Sequence, residues 1–277
     1  MLRPLAESFR TWRLSKKLVW PVRKSHCWRL DNKAYVISFF AALHFLTIVP
    51  PVVQRTFRMD ELGRSVASYP LVGLLIGALL LGLSWLLSNI FPPWIVAGLV
   101  LVVWVLASGG IHMDGVMDAA DGLFGGRTAD QRLTIMHDER VGAFGVLAAV
   151  FVLFLKLAAL AEGASGFPSL LLAPVVGRWT MSMAIVAFPY ARKEGLGSAM
   201  KNEARGMYLW VSTLFCVVIA YLSAGVPGLM AMGPAAFLLV LVGRFVVGRV
   251  GGFTGDIYGA TNELVELFVL LSFSVSI

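Results

Sequence analysis

Residues 66–90 have the sequence VASYPLVGLLIGALLLGLSWLLSNI, which contains no charged side chain. A membrane-spanning helix needs about 20 predominantly apolar residues, so this run is long enough to cross a bilayer. Further apolar runs follow along the chain at Ile95–Ser108, Val141–Ala161, Ser169–Phe188, Tyr208–Ala224, Gly228–Val247 and Leu264–Ile277. The sequence therefore predicts an all-α, polytopic transmembrane bundle of about seven membrane segments.

The composition of the whole chain agrees with a membrane protein. Of its 277 residues, 58% are hydrophobic and only 14% are charged, whereas soluble domains have about 25% charged residues. An earlier apolar run, Ala34–Val53, closes on Pro50 and Pro51 and has basic residues on both sides. Because both flanks are basic, we expect this first element to be re-entrant or interfacial rather than a full crossing.

Lys and Arg residues collect at alternate ends of the apolar runs. Of the 23 in the chain, 21 lie in residues 1–33, 54–65, 111–140, 190–206 and 244–262. The intervening connections, around residues 89–94, 162–168 and 225–227, contain none. By the positive-inside rule the basic loops are cytoplasmic, so we expect the polar residues of the 111–140 segment to face the cytoplasm.

The first 33 residues differ from the rest of the chain. They carry nine Lys and Arg residues interleaved with Leu, Phe and Trp, a pattern typical of a basic amphipathic arm on anionic lipid. We expect residues 34–277 to form a single integral membrane catalytic domain. The net charge of +7 is then explained by membrane topology, and no nucleic-acid partner is expected. A homo-oligomer is one of the states that the sequence leaves open.

The segment GIHMDGVMDAADGLFGG, residues 110–126, places three carboxylates in an apolar setting. On a helix, the spacing of Asp114, Asp118 and Asp121 brings the three side chains to one face, within roughly 60°. Like charges so close together need a counter-ion. Oxygen ligands at this spacing suit Mg²⁺, which combines a few carboxylates with waters and phosphate oxygens. We therefore predict that these three aspartates bind Mg²⁺ at a phosphate-transfer site.

The exit of this segment is rich in glycine. Gly122 and Gly126 would let the backbone approach a bulky phosphate closely, and Arg127 would neutralise one. We interpret these three residues as part of the substrate-binding site. The alternative is a solvated acidic loop between two helices, which would have no need to align three aspartates on one face.

Two further polar segments add candidates. In LTIMHDERVGAFG, residues 133–145, Asp138 is a candidate ligand or base and Arg140 a candidate phosphate clamp, although Arg140 is also explained by a membrane boundary. In GGFTGDIYGATNELVE, residues 251–266, Asp256 and Glu263 would differ by only about 20° around a helix. With Asn262 beside them, these acids predict a second half of the same polar cavity. The alternative is a helix start at which acids favour the positive end of the dipole.

Arg178 lies inside an apolar run, in the segment APVVGRWT. A charge at membrane depth is costly and tends to be functional, so Arg178 needs an anionic partner. That partner is either one of the acids or a substrate phosphate, and we include Arg178 among the candidate catalytic residues.

With these segments located, the sequence resembles the cobalamin synthase family, the adenosylcobinamide-GDP ribazoletransferases. The central pattern, GG-x-H-x-D-G-x-x-D-x-x-D-G, is specific, and the resemblance covers most of the chain from about Ala34. Two departures stand out: residues 1–33 lie outside it, and His137 stands where a lysine is expected. The matching blocks, in order, are FLTIVP (45–50), YPLVGLLIG (69–77), GGIHMDGVMDAADGLFGG (109–126), IMHDERVGAFG (135–145) and GGFTGDIYGATNEL (251–264).

The resemblance implies a Mg²⁺-dependent enzyme of a prokaryotic inner membrane, with its active site facing the cytoplasm. Such an enzyme joins adenosylcobinamide-GDP to α-ribazole or its 5′-phosphate and releases GMP. Our hypothesis is that Asp114, Asp118 and Asp121 hold one or two Mg²⁺ ions and that Asp121 or Asp138 is the base. The candidates for clamping phosphate charge are Arg127, Arg140 and Arg178.

Two other classes of protein remain as alternatives. A CDP-alcohol phosphotransferase also uses aspartates on membrane helices, but the Ala-Arg expected after its first Asp-Gly is absent here. An ion or anion transporter would use the same acids to bind its cargo. The transporter hypothesis predicts two related halves with broken helices, and the sequence shows no internal repeat.

Overall fold

A computed structural model of the protein describes residues 32–164, 166–192 and 195–274. Within these ranges the chain is helical and contains no strand, so the all-α prediction is confirmed. The predicted basic arm lies outside the described residues as far as residue 31. The helices are α1 (Asn32–Leu46), α2 (Met59–Ser65), α3 (Tyr69–Leu87), α4 (Pro93–Ala107), α5 (Ile111–Gly125), α6 (Ala129–Ile135), α7 (Ala143–Ala159), α8 (Ser169–Ala187), α9 (Leu196–Glu203), α10 (Gly206–Val250) and α11 (Gly255–Ser274).

Four helical segments in the described part of the chain are long and apolar enough to cross a membrane, or five if the bent pair α4 and α5 forms one span. The expected number of about seven segments is not confirmed. Helix α1 has 15 residues, so it is about 22 Å long, which is less than the roughly 30 Å of the hydrocarbon core. This length fits the re-entrant or interfacial element that the sequence predicts.

The bend between α4 and α5 measures 85°. It lies at Gly109 and Gly110, whose φ angles of 65° and 72° are in the left-handed region. Glycine adopts such angles without the steric cost that a Cβ atom imposes. The chain therefore turns sharply just before the aspartate-rich helix, so that α5 does not continue the direction of the apolar helix α4.

Helix α10 also changes direction, because Gly225 has non-helical backbone angles (φ 60°, ψ −137°). A Cβ atom on Gly228 would overlap the carbonyl oxygen of Ala220. Eight residues of continuous helix would separate these positions by about 12 Å, so the chain folds back on itself at this break. The break coincides with the connection at residues 225–227 that separates two apolar runs in the sequence.

Helix α8 forms the centre of the bundle and packs against α3, α10 and α11. It is the most buried of the candidate membrane spans. Its crossing with α3 depends on small residues, as is common between membrane helices. A Cβ atom on Gly77 would lie 2.8 Å from the carbonyl oxygen of Leu171, and one on Gly73 would overlap that of Pro174.

We predict that Gly73→Leu destabilises the protein by several kcal/mol, because overpacking alone costs about 1–3 kcal/mol and here the obstacle is backbone. Gly82→Leu is the matched control, since Gly82 lies on the same helix and has no atom within 4 Å of its Cβ position. Thermal unfolding in detergent measures both variants. Equal melting temperatures for the two would contradict the close α3–α8 crossing.

A second close crossing, between α5 and α11, positions the polar residues. A Cβ atom on Gly115 would lie 2.6 Å from the carbonyl oxygen of Asp256, and one on Gly259 would lie 3.1 Å from the Cα of His112. Helix α5 also packs against α7. The two glycines thus hold the aspartate-rich helix against the start of α11.

Candidate active site

The three aspartates of the central motif lie on α5, as the sequence predicts. They differ in exposure: Asp114 is exposed, Asp118 is half-buried and Asp121 is buried. Their side chains therefore run from an open surface into the interior along one helix.

Asp256, at the start of α11, joins this group across the α5–α11 crossing. Its backbone touches Gly115, and its charge, like those of Asp114 and Asp121, repels the charge on Asp118. One cation offsets this repulsion: Arg192 Nη2 lies 3.1 Å from Asp256 Oδ2. We refer to Asp114, Asp118, Asp121 and Asp256 as the acidic cluster.

The donor set of the acidic cluster fits a hard cation. Its members are oxygen donors, and within the described part of the chain the four like charges are paired with one arginine, Arg192. A divalent ion would stabilise such an arrangement. Among the described residues, no three His, Cys, Asp or Glu side chains already converge as a complete metal-binding group. This is compatible with Mg²⁺, which keeps several waters and takes further ligands from substrate phosphates.

Asp121 has a structural role that the sequence does not reveal. Its Oδ2 accepts a hydrogen bond from Gly142 N at 2.7 Å and its Oδ1 one from Gly145 N at 2.8 Å. Gly142 is the N-cap residue of α7, so Asp121 satisfies N–H groups that a helix start leaves without a partner. A Cβ atom on either glycine would overlap the carboxylate. Asp121 therefore fastens the start of α7 to α5.

Gly122 and Gly126, at the end of the acidic motif, pack against other residues of the protein and do not border open space. A Cβ atom on Gly126 would lie 2.5 Å from Cγ of Arg132, and one on Gly122 would overlap the side chain of Met136. Both glycines therefore allow α6 to pack closely on the end of α5. Arg127 is exposed, and its backbone N donates to Gln131 Oε1 at 3.2 Å.

Asp138 and Arg140 lie in the connection between α6 and α7, and both are exposed. Asp138 Oδ1 accepts a hydrogen bond from Arg140 N at 3.1 Å. Gly142, two residues further on, binds Asp121. This connection is therefore anchored to the acidic cluster at its C-terminal end.

The remaining candidates form a separate group deeper in the bundle. Lys156 Nζ lies 2.6 Å from Glu263 Oε2 and 2.6 Å from Glu266 Oε2. Glu266 Oε1 also pairs with Arg178 Nη1 and accepts from Asn262 Nδ2 at 3.0 Å. All five side chains are buried. We refer to Lys156, Arg178, Asn262, Glu263 and Glu266 as the buried ion network.

Asp256 and Glu263, which the sequence predicts to line one polar cavity, belong to different groups in the structure. Glu263 lies seven residues after Asp256 on α11, a rise of about 10 Å, and pairs with Lys156 instead of facing the acidic cluster. The anionic partner that Arg178 needs is Glu266. Lys156 and Glu266 are functional candidates that the sequence reasoning missed. The signal that could have identified Lys156 is its position inside an apolar run.

His112 is close to both the acidic cluster and the buried ion network. It lies on α5, two residues before Asp114. Its side chain is buried, with 2% of its surface exposed, and its Nε2 has no hydrogen-bond partner among the described residues. Electrostatically it interacts with Arg178, Glu266 and Lys156 of the buried ion network.

Basic residues also lie around α9. Lys201 Nζ donates to the carbonyl oxygen of Val186 at 2.7 Å, and partial burial lowers the pKa of its ammonium group. Among the basic residues of the 190–206 segment that the structure describes, Arg192 forms an ion pair with the acidic cluster. A cationic residue thus lies directly beside the carboxylates.

The family model for cobalamin-5-phosphate synthase matches residues 38–274, a range that includes the acidic cluster and the buried ion network. The chain belongs to the cobalamin-5-phosphate synthase family. The resemblance noted in the sequence is therefore confirmed.

Individual members of the cobalamin-5-phosphate synthase family support this assignment. An adenosylcobinamide-GDP ribazoletransferase of Desulforamulus reducens is 41% identical over 84% of this chain and 94% of its own length. The enzyme of the same name from Pseudomonas fluorescens is 41% identical over 85% of this chain and 98% of its own length. That of Roseiflexus sp. is 34% identical over 85% and 88%. No solved structure matches the chain.

Proposed function

We propose that the protein joins adenosylcobinamide-GDP to α-ribazole or α-ribazole 5′-phosphate, giving adenosylcobalamin or its 5′-phosphate and GMP. Family membership supports this transferase reaction in the assembly of the cobalamin nucleotide loop. The observation on this chain that carries the proposal is the acidic cluster, which faces outward at Asp114 and is paired with Arg192.

The reaction requires a small set of chemical groups. The ribazole 3′-hydroxyl attacks the phosphorus on the cobinamide side of the diphosphate, a new P–O bond forms, and the P–O bond to GMP breaks. The hydroxyl proton passes to a base, and GMP leaves as an anion. The protein must therefore position the two substrates, accept one proton and stabilise charge on the phosphates.

We assign Mg²⁺ binding to Asp114 and Asp118, with Asp121 and Asp256 beside them. A bound Mg²⁺ would neutralise phosphate oxygens of the diphosphate. Asp121 keeps these ligands in place by capping α7, because both its oxygens accept backbone N–H groups. Each oxygen retains a further lone pair, so Asp121 also remains a candidate ligand.

We assign the proton acceptor to Asp138 in preference to Asp121. Asp138 is exposed, and one of its oxygens accepts from Arg140 N. Arg140 and Arg127 are both exposed and long enough to bind phosphate oxygens of the substrate. Arg178 acts indirectly in this proposal, since it holds Glu266 and thereby positions α11.

The orientation of the site rests on the distribution of basic residues. The segments at residues 111–140, which contain three of the four acids of the cluster, and at residues 190–206 carry three and four Lys and Arg residues, whereas the connections on the opposite side carry none. By the positive-inside rule these basic segments lie on the cytoplasmic side, so we place the protein in the prokaryotic inner membrane with its site facing the cytoplasm. Substrates made in the cytosol would reach it directly.

Product formation by purified protein in detergent tests this proposal. Adenosylcobinamide-GDP and α-ribazole 5′-phosphate are incubated with the protein, and GMP and the corrinoid product are separated by chromatography. We expect equal amounts of GMP and adenosylcobalamin 5′-phosphate, and neither without ribazole phosphate. A folded protein that forms no product would overturn the proposal and favour a transporter, which requires two compartments, or a different phosphotransferase.

A further inference from the structure

A shallow cavity of about 450 Å³, open to solvent, lies between the end of α5 and α6. Neither the proposed metal ligands nor the buried ion network contributes to it. Its lining residues are Gly125, Gly126, Asp130, Gln131, Thr134 and Ile135.

The cavity opens on the same face of α5 as the acidic cluster. Gly125 follows Asp118 by seven residues, which places the two positions within about 20° around the helix and about 10 Å apart along it. A ribose bridges a comparable span between a diphosphate and its base. A nucleotide whose phosphates lie at the acidic cluster would therefore bring its base to this cavity.

The carboxylate in the cavity suits the positive end of the α6 dipole, but it does not take part in capping that helix. Asp130 is in the first turn of α6, but the capping box is already formed by Thr128 and Gln131: Thr128 Oγ1 accepts from Gln131 N at 3.3 Å, and Gln131 Oε1 accepts from Thr128 N at 3.4 Å. The Asp130 side chain is exposed and forms no ion pair or hydrogen bond within the described ranges.

The neighbouring arginine is directed elsewhere. Arg132 Nε donates to the carbonyl oxygen of Leu123 at 3.4 Å, and its Nη1 donates to that of Arg249 at 3.3 Å. Its charge therefore stabilises the C-terminal end of α5 instead of pairing with Asp130. The cavity keeps a free carboxylate that is suited to a ligand with adjacent N–H donors.

We propose that this cavity binds the guanine base of the GDP moiety, with Asp130 accepting hydrogen bonds from guanine N1–H and the 2-amino group. The inference rests on the proposed function. Guanine carries these two donors side by side on one edge, which matches the two oxygens of a carboxylate. The base of α-ribazole has no N–H donor, so it does not fit the same partner. Gly125 leaves room for a flat ring, since its Cβ position would lie 3.9 Å from the nearest neighbouring atom, Cδ1 of Ile135.

Comparison of two donor substrates tests the proposal. The kcat/KM values for adenosylcobinamide-GDP and for its inosine analogue, which lacks the 2-amino group, are measured with wild-type protein, Asp130→Asn and Asp130→Ala. We expect wild type to prefer the guanosine substrate about tenfold or more, as one good base-edge contact provides. Both variants should lose this preference. Because inosine keeps N1–H, the kcat/KM of the inosine substrate should also fall, but by less than that of the guanosine substrate. Glu162→Gln, an exposed carboxylate outside the cavity, is the control and should keep the preference.

Two results would overturn the guanine assignment while leaving the proposed reaction intact. One is an unchanged preference for guanosine in both Asp130 variants. The other is an equal loss of activity on both substrates by variants whose melting temperatures match wild type. Absence of any turnover by wild type would instead overturn the proposed function, and the guanine assignment with it.

Discussion

Asp118→Asn is expected to lower the rate of GMP release by on the order of 10²–10³-fold, the loss that follows removal of one pre-positioned electrostatic group from an active site. Asp118 lies at the centre of the acidic cluster, where Asp114, Asp121 and Asp256 surround it. The substitution keeps the size of the side chain and removes its charge. The rate is measured with saturating substrates and Mg²⁺ in detergent.

A matched control separates this effect from general damage. Asp60→Asn changes an aspartate on α2 that pairs with Arg58 and Arg64 at the surface, where ion pairs contribute about 0–1 kcal/mol. This variant should keep nearly the wild-type rate. Asp118→Asn with wild-type activity would show that the acidic cluster is not the reacting site.

Lys156→Met is expected to destabilise the protein by about 3–5 kcal/mol, the usual consequence of leaving a buried charge without its partner. Lys156 has 1% of its surface exposed and binds both Glu263 and Glu266. Without it, two buried carboxylates share the charge of Arg178 alone. Chemical or thermal unfolding in detergent measures the loss.

Neutralising one acid should reverse most of this loss. In the double variant Lys156→Met/Glu263→Gln, Glu266 keeps its pair with Arg178 and the network again has no net charge. A double-mutant cycle then gives a coupling energy between residues 156 and 263. Additive losses, with the double variant less stable than either single variant, would contradict an ion network at this position.

The local features of the site follow from the sequence. The spacing of Asp114, Asp118 and Asp121 predicts a helix with the three acids on one side, and α5 confirms the helix. The paired glycines 109 and 110 have the positive φ angles that glycine favours. The apolar runs predict the helical membrane fold because backbone groups in lipid must be satisfied within helices.

The long-range features do not follow from it. Asp121 resembles its neighbours in the motif, and its capping role depends on α7 returning to α5 after a 20-residue excursion. Lys156 and Glu266 are separated by 110 residues, so no periodic pattern pairs them. Gly122 and Gly126 have the composition of a phosphate loop, but the space above them is filled by α6. Tertiary packing decides each of these roles.

The dependence of GMP release on Mg²⁺, compared between wild type and Asp114→Asn, tests the central claim most directly. Asp114 is the exposed member of the acidic cluster, so its loss should affect metal binding with little effect on folding. We predict that EDTA abolishes wild-type activity, that Mg²⁺ restores it, and that Asp114→Asn requires a much higher Mg²⁺ concentration for half-maximal rate. Metal-independent release, or an Asp114→Asn variant with unchanged rate and Mg²⁺ dependence, would contradict the assignment of the acidic cluster as the metal site.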